Sequence, residues 1–560
     1  MTASVAVMAK GFEAQWSALL ADVSQAVREA PLSRLVIVVP GRPLVRWCRE
    51  RIGRHRQETG GRPWLGVEVV SAFGIAARLT PDFEASEIGD EVLRFLLASL
   101  ELPAWLSAYR DPASLLLATL RDLHDAGFGQ PHEAPALEAL DDSPAADRAR
   151  ELLRVANTLF ERARSYGFVT RAERIGAAAD RLTMGSSLGL ARAFVYGMYD
   201  FTGAMADLMR AFLRAVPTRI YTPDVELSGE PLEPTNAATY LRRVFALTIQ
   251  PAVVRIERLP AAPLPPVRRE IVDVSGARGE FEATARRVRS LLAAGVPASE
   301  IAVIAREITS DMPVITEIFA RLSVPFVCDR PGAARVSGEI RGLLAAAALV
   351  SEGFRRDRLV EALRHGGAHV RARFGGLLGQ VDAALRALGT TDADEFTVIA
   401  QRLEAGQPLP APNRAHEDDE VTAGEVDLAA TSAVVTLGCR VALLLSEWPE
   451  TGPMAAHLHR WEQLTVALFA SQPAAAEVRA TFERVPVAVR RADFAAAVVR
   501  HLESHRPTAP AGDGVRVLDV MSARGMHFRH VLLVGLERRR WPRAVREDPL
   551  LPDSIRRLLA

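Results

Sequence analysis

The spacing of apolar residues changes several times along this chain, and the changes divide it into regions. Residues Phe12 to Val27 repeat apolar positions at helical spacing, and the run Leu35-Val36-Ile37-Val38-Val39, closed by Pro40-Gly41, has the pattern of a buried strand. A helix is predicted over Arg42 to Ile52, a second strand over Val67 to Val70, and a helix over Ala72 to Leu79. This alternation is that of an α/β domain. From about Glu84 to Thr183 the period is helical throughout, as in EVLRFLLASL and RARELLRVANTLFERARSYG, with Gly127 and Gly167 placed as helix stops. Strand signals return at Ala193 to Tyr196 and Thr218 to Tyr221, with a helix from Ala204 to Ala215 between them.

The stretch LPAAPLPP, Leu259 to Pro266, is too proline-rich for a helix or a central strand and reads as a linker. Beyond it the pattern repeats. Strands are predicted at Ile271 to Val274 and Ile301 to Ala305, and helices at Phe281 to Ala294 and Met312 to Leu322. A second helical region runs from about Arg341 to His505, broken by a polar loop at Gln407 to Glu425, before strands at Val515 to Val520 and Val531 to Val534 and a last helix at Asp553 to Ala560.

The expected organisation is therefore two parallel-sheet α/β domains, each interrupted by helices. The first takes residues 1–83 and 190–258 with an insertion over 84–189. The second takes 267–340 and 512–560 with an insertion over 341–511.

Composition narrows the chemistry. The formal net charge is zero, so any affinity for a polyanion must be local. Lys10 is the only lysine among 68 basic residues, which excludes chemistry that needs a second one. The three cysteines, Cys48, Cys328 and Cys439, are far apart and form no C-x-x-C pair, a usage that fits a reducing, cytoplasmic compartment. No secretory leader pattern and no run of ~20 apolar residues is read, so no membrane partner is expected.

Four segments carry candidate chemistry. The turn Pro40-Gly41-Arg42-Pro43 follows the first strand that the pattern reveals, where a P-loop would stand, but it lacks the lysine and the Ser/Thr, and its prolines cannot donate backbone N–H bonds. The turn Gly197-Met198-Tyr199-Asp200 has glycine and methionine where an ATPase would carry paired acids, and Asp200 alone suits a helix cap. The segment VRVLDVMSARGMHFRHVLLVGLERRRWP, Val515 to Pro542, brackets a Ser-x-Arg-Gly turn with two apolar strands and reads equally as a phosphate-directed turn or as a hairpin-like connection. The acidic run His416 to Glu420 reads as a solvated loop.

Together these segments resemble the AddB/RecC-like branch of the UvrD-type superfamily 1 helicases, over nearly the whole chain. The resemblance rests on Arg524-Gly525-Met526-His527-Phe528, then Val531 to Val534, Gly535-Leu536 and Trp541-Pro542, and on the stretch Glu280 to Asp329, which looks like the opening of the family's second motor domain. It implies two RecA-like (P-loop NTPase-like) domains, each with a helical insertion. The ATPase residues are substituted, with His527 where the family places a glutamate. The family's C-terminal PD-(D/E)XK nuclease domain would begin where this chain ends, so an unpaired sheet edge or apolar face is expected.

The function implied is a non-motor subunit of a DNA-end-processing complex in recombinational double-strand break repair. It would bind DNA ends or single-stranded DNA beside an AddA/RecB-like helicase-nuclease partner, with Arg42, Arg46, Arg278, Arg306 and Arg524 as candidate DNA contacts. No catalytic residue, cofactor or metal is expected. Two alternatives stay open: the N-terminal part of a nuclease whose catalytic domain is encoded separately, and a scaffold for the motor that never touches DNA.

Overall fold

In the computed structural model the structure describes residues 4–61, 63–109, 111–128, 137–138, 140, 142–224, 237–260, 267–328, 338–365, 377–407, 428–469, 473–504, 514–537, 541 and 547–559. Most of the proline-rich linker, the polar and acidic loop beyond Gln407, and Arg538, Arg539, Arg540 and Pro542 of the C-terminal motif lie outside the described residues. The chain is α/β with parallel sheets and divides into two compact units, one formed by Met1–Ile88, Leu100–Ala333 and Pro510–Ala560, the other by Gly89–Ser99 and Ala334–Ala509.

The strands are, in chain order, β1 (Val5–Ala9), β2 (Leu35–Val39), β3 (Val67–Ser71), β4 (Arg192–Val195), β5 (Thr218–Pro223), β6 (Arg255–Arg258), β7 (Ile301–Ala305), β8 (Phe326–Val327), β9 (Thr451–Pro453), β10 (Ala488–Arg490), β11 (Val515–Asp519) and β12 (His530–Val534). In the first unit β1 to β6 form a six-stranded parallel sheet in the order β3-β2-β4-β5-β1-β6. Helices α1 (Phe12–Glu29) and α2 (Arg42–Glu58) cover one face, and α3 (Ala72–Leu79) lies with helices Arg171–Thr183 and Gly203–Ala215 on the other. The period of two along β2 produces this: Val36 and Val38 enter one core, while Leu35, Ile37 and Val39 enter the opposite one.

The second sheet has four parallel strands in the order β12-β7-β11-β8. Strands β11 and β12 are thus separated by β7, and the hairpin reading of the Val515 to Val534 segment is corrected. One face of β7, Ile301, Val303 and Ala305, packs on Phe281, Ile315 and Phe319 of helices Gly276–Ala293 and Met312–Arg321. Its other residues, Ala302 and Ile304, join Leu518 and Met526 in the same hydrophobic cluster as Trp16, Trp47 and Tyr196 of the six-stranded sheet. The two sheets of this unit therefore share a core.

Among the described residues strand β12 pairs with β7 alone, and its Val531 and Leu533 are each 48% exposed, so this edge of the sheet is apolar. The run Ile271 to Val274 is not a strand, and Ile271 is 98% exposed. Three apolar residues around Asp273 do not make a strand without a partner ladder. The last helix, Asp553–Leu559, lies against the helices Pro112–Asp125 and Pro144–Ser165, where Arg556 bonds to Asp122 at 3.3 Å.

The second unit is helical, with a small antiparallel pair, β9 with β10. Its buried His457 accepts the Trp448 indole N–H at Nδ1 (2.9 Å), leaving Nε2 to donate to the Val489 carbonyl (3.0 Å). Its helix Leu428–Ser446 corrects one sequence expectation, because it is long and apolar enough to cross a membrane by length and composition. One face of it, Thr431, Val434, Leu437, Val441 and Leu445, is buried inside this unit, whereas Leu428 and Leu443 are exposed.

Candidate functional site

The carboxyl ends of parallel strands, where neighbouring strands send their connections to opposite faces, are the usual ligand sites of such sheets. The first strand to consider is β1, which the pattern of apolar residues did not reveal. The turn Pro40 to Pro43 follows β2, the second strand, and the P-loop comparison belongs instead to the turn after β1. That turn contains Lys10, the only lysine, but just two residues, Lys10 and Gly11, join Ala9 to Phe12. A phosphate cradle needs a glycine-rich loop of several residues. Gly11 takes φ 84°, and buried Gln15 reaches back, its amide lying 3.5 Å from the Ala9 carbonyl while its Oε1 accepts the Tyr199 hydroxyl at 2.8 Å. Phe12 and Tyr199 bring their rings to 5.5 Å, and burial pushes the Tyr199 phenol above its ordinary range. Side chains of the protein therefore occupy the mouth of β1.

Next to it lies a cavity of about 260 Å³ formed by three turns. Pro40, Gly41 and Pro43 follow β2; Gly197, Tyr199 and Asp200 follow β4; Met521, Ser522 and Arg524 follow β11; and Leu44 of α2 lines it with them. Two of these turns need glycine. Gly197 and Gly525 have φ of 75° and 79°, and a Cβ on Gly197 would lie 2.6 Å from Leu44 Cδ2. A Cβ on Gly525 would lie 3.1 Å from the same atom and 3.4 Å from Gly197 Cα, so the turns of the two sheets meet backbone to backbone. Glycine at 197 is thus a packing requirement as well as the loss of an acid. Asp200 is not a helix cap. It faces Arg524 across the cavity, Oδ2 to Nη1 at 3.6 Å.

Around the cavity the two sheets are pinned together. The buried Tyr196 hydroxyl donates to the Gly525 carbonyl at 2.6 Å, and the buried Arg516 of β11 pairs with Glu50 of α2. Arg51 approaches Glu300 at 3.9 Å and donates to His527 Nε2 at 3.0 Å, and Arg54 approaches Glu300 at 3.5 Å and bonds to the Ser299 hydroxyl. Trp16, Trp47 and His527 stack edge to face or tilted, with Trp47 4.8 Å from Trp16 and 4.9 Å from His527. Burial, assisted by the Arg51 charge, holds the His527 imidazole down to about 4, so it is neutral at pH 7 and accepts the Arg51 bond.

The five candidate arginines fall in different places. Arg524 lines the cavity, and Arg42, exposed at the start of α2, stands at its rim between Gly41 and Pro43; Arg46 follows one turn along. Arg306 lies just past the end of β7. Arg278 lies in the first turn of helix Gly276–Ala293, paired with Glu317 and Glu282, and does not line the cavity. The tryptophan and histidine of the seam were not singled out from sequence as contacts, and only the helical spacing of Leu44, Trp47 and Cys48 signals that face of α2. Among the described residues no cluster of His, Cys, Asp or Glu is suited to a metal.

No family model and no curated protein matches this chain.

Proposed function

We propose that this chain is an AddB/RecC-like, non-motor subunit of a DNA-end-processing helicase-nuclease complex. In this reading it is built on two RecA-like domains with helical insertions, acts in the cytoplasm, and binds and guides DNA strands beside an AddA/RecB-like motor. The observation that carries the reading is the seam between the two parallel sheets. A motor of this class must open and close such a seam around a nucleotide with each turnover. Here the seam is a packed core, with Trp16, Trp47, Leu44 and Met526 buried and Tyr196, Glu50 and Arg51 bonded across it.

What remains accessible is the cavity at the carboxyl ends of β2, β4 and β11, with Arg524 on its wall and Arg42 at its rim. Guanidinium groups at such a mouth can hold a phosphate backbone without turnover. The test is twofold. The purified chain should show no ATP hydrolysis yet bind a tailed DNA duplex with an affinity that falls steeply with salt. ATP turnover by the chain alone would overturn the non-motor reading, and salt-independent or absent binding would overturn the DNA reading.

A second reading, a scaffold for the motor that makes no DNA contact, is favoured by the apolar edge of β12, where Val531, Leu533 and Leu536 are about half exposed. Co-purification with the motor subunit, with no affinity of either the complex or the chain for DNA ends, would establish it instead.

A further inference from the structure

Among the described residues the two parallel sheets have four edges, and three of them are guarded. Strand β6, Arg-Ile-Glu-Arg, is charged at three of its four positions, and β8 is only two residues long. On β3, Glu68 pairs with Arg78 at 2.7 Å and Arg49 donates to the Val69 carbonyl at 2.9 Å. Strand β12, His530-Val531-Leu532-Leu533-Val534, has five residues and no Lys, Arg, Asp or Glu. A long apolar edge of this kind is a template for a further strand.

The connections of the second sheet say which strand. From β7 the chain passes through helix Met312–Arg321 to β8, a step of two places across β11. Helix Gly276–Ala293 packs on the same face of the sheet and feeds β7. From β11 the chain returns by two places to β12, and Met526 of that connection lies on the opposite face. Reversing both direction and face keeps one hand, and parallel crossovers are right-handed in about 98% of cases. For helix Gly276–Ala293 to follow the same hand, the strand that precedes it must lie on the β12 side of β7. The place next to β7 is filled by β12. The vacant place is therefore the open edge of β12, again two places away.

The residues before this helix already have the direction of a strand. A strand laid back along the helix from Gly276 covers ~20 Å in six residues, and the eleven helical residues up to Arg287 cover ~17 Å. Such a strand ends beside Arg287, and Glu270 does pair with Arg287, at 3.4 Å. At the other end Glu280 accepts the Gly535 N–H at 2.8 Å, which sets the first turn of the helix at the carboxyl end of β12. Gly276 takes φ 69° there, and a Cβ built on it would meet nothing within 4 Å, so it can turn without disturbing its surroundings. Ile271 is 98% exposed, more than any other large apolar side chain among the described residues, and Val272 is 64% exposed.

We infer that Glu270–Val274 is a detachable edge strand, a strap that closes on β12 in parallel and opens to the position of this structure. Closed, it sets Ile271 and Val272 against the stretch Val531 to Leu533 and becomes the fifth strand of the sheet, beside β12. Open, it leaves the apolar edge free. The inference does not depend on what the chain binds, because all of its elements lie in one compact unit and none lines the Arg524 cavity.

Hydrogen exchange of the full chain, read by mass spectrometry with no other polypeptide present, tests the strap. The amides of Ile271–Val274 should exchange about tenfold or more slower than those of an unstructured peptide of the same sequence, at every protein concentration. The double variant Ile271→Asp with Val272→Asp should remove that protection and speed exchange in His530–Val534, with Ile301–Ala305 of β7 unchanged as the check on folding. Both side chains are exposed in the open position, so this variant is expected to fold. Leu533→Asp, on the edge itself, should free the Ile271–Val274 amides as well. Unprotected exchange of Ile271–Val274 in the wild type overturns the strap, and so does exchange in β12 that the double variant leaves unaffected. Protection that grows with protein concentration assigns the edge to a second copy and also overturns it.

Discussion

The two faces of helix α2 use the same residue type for opposite ends. On the inner face Arg51 and Arg54 approach Glu300, Arg51 bonds to His527, and Trp47 fills the seam between the sheets. On the outer face Arg42 is exposed at the start of the helix, Arg49 donates to the Val69 carbonyl at 2.9 Å and Arg56 lies over the Trp64 ring at 5.3 Å, with Gly53 among them. The lesson is that an abundance of arginine says little about polyanion binding until the arginines are divided between those that face acids and those that face carbonyls and rings. A net charge of zero over the whole chain hides that partition.

The comparison can be tested first where the effect is largest. Trp47→Ala should cost about 3–5 kcal/mol, the range for removing a large buried aromatic side chain, read as a drop in denaturant midpoint. If the inner face merely rests on its neighbours, the loss will be a fraction of that. Glu50→Ala should cost roughly 2–3 kcal/mol, since it strands the buried Arg516, with some relief because Glu50 is itself partly exposed. A smaller effect should come from pH. His527 is neutral in the fold with its pKa held down to about 4, against about 6.5 in an unfolded chain, so the unfolded state binds more protons between those values. Stability should be full above about pH 6.5 and decline as pH falls toward 4, and His527→Phe should flatten that part of the profile. His457, pushed down by its burial, adds a loss of the same sign in the other unit. The smallest effect is expected on the outer face, where Gly53→Ala should raise the stability by about 0.5–1 kcal/mol, read as a small rise in the denaturant midpoint. A destabilising Gly53→Ala would show that the glycine serves the fold and would merge the two faces into one.

Much of the fold could be read from the sequence because buried parallel strands appear as apolar runs, unbroken in Leu35 to Val39 and Ile301 to Ala305 and interrupted only by Arg516 in Val515 to Leu518. Strand β1 escaped because three residues of Val-Ala-Val-Met-Ala are alanine or methionine, which carry little strand preference, and β6 because Arg-Ile-Glu-Arg reads as a polar turn. The opposite error, Ile271 to Val274, has the composition of a strand without a partner. The substitutions at Gly197 and Met198 were visible, but their reason was not: Gly197 must accommodate Leu44 and Gly525, residues about 150 and 330 positions away in the chain. Asp200 was given a local role as a cap because its partner Arg524 is just as remote. Among the candidate arginines, Arg42 and Arg524 come near one cavity, whereas Arg278 could not be told from a surface ion pair until Glu317 was placed beside it.

The seam also sets a timetable for folding. Glu50 and Arg516 are 466 positions apart, and Arg51 and His527 are 476 apart. At a synthesis rate of about 5–20 residues per second, the N-terminal α/β layer would wait roughly half a minute to a minute and a half before its partners emerged from the ribosome. During that interval Trp16, Trp47 and the outer turns of β2 and β4 would lack the cover that Met526 and its neighbours supply. A nascent chain with such a gap in its core is a natural client for chaperones, and truncations that stop short of Val515 should accumulate as aggregates whatever the chain's final task.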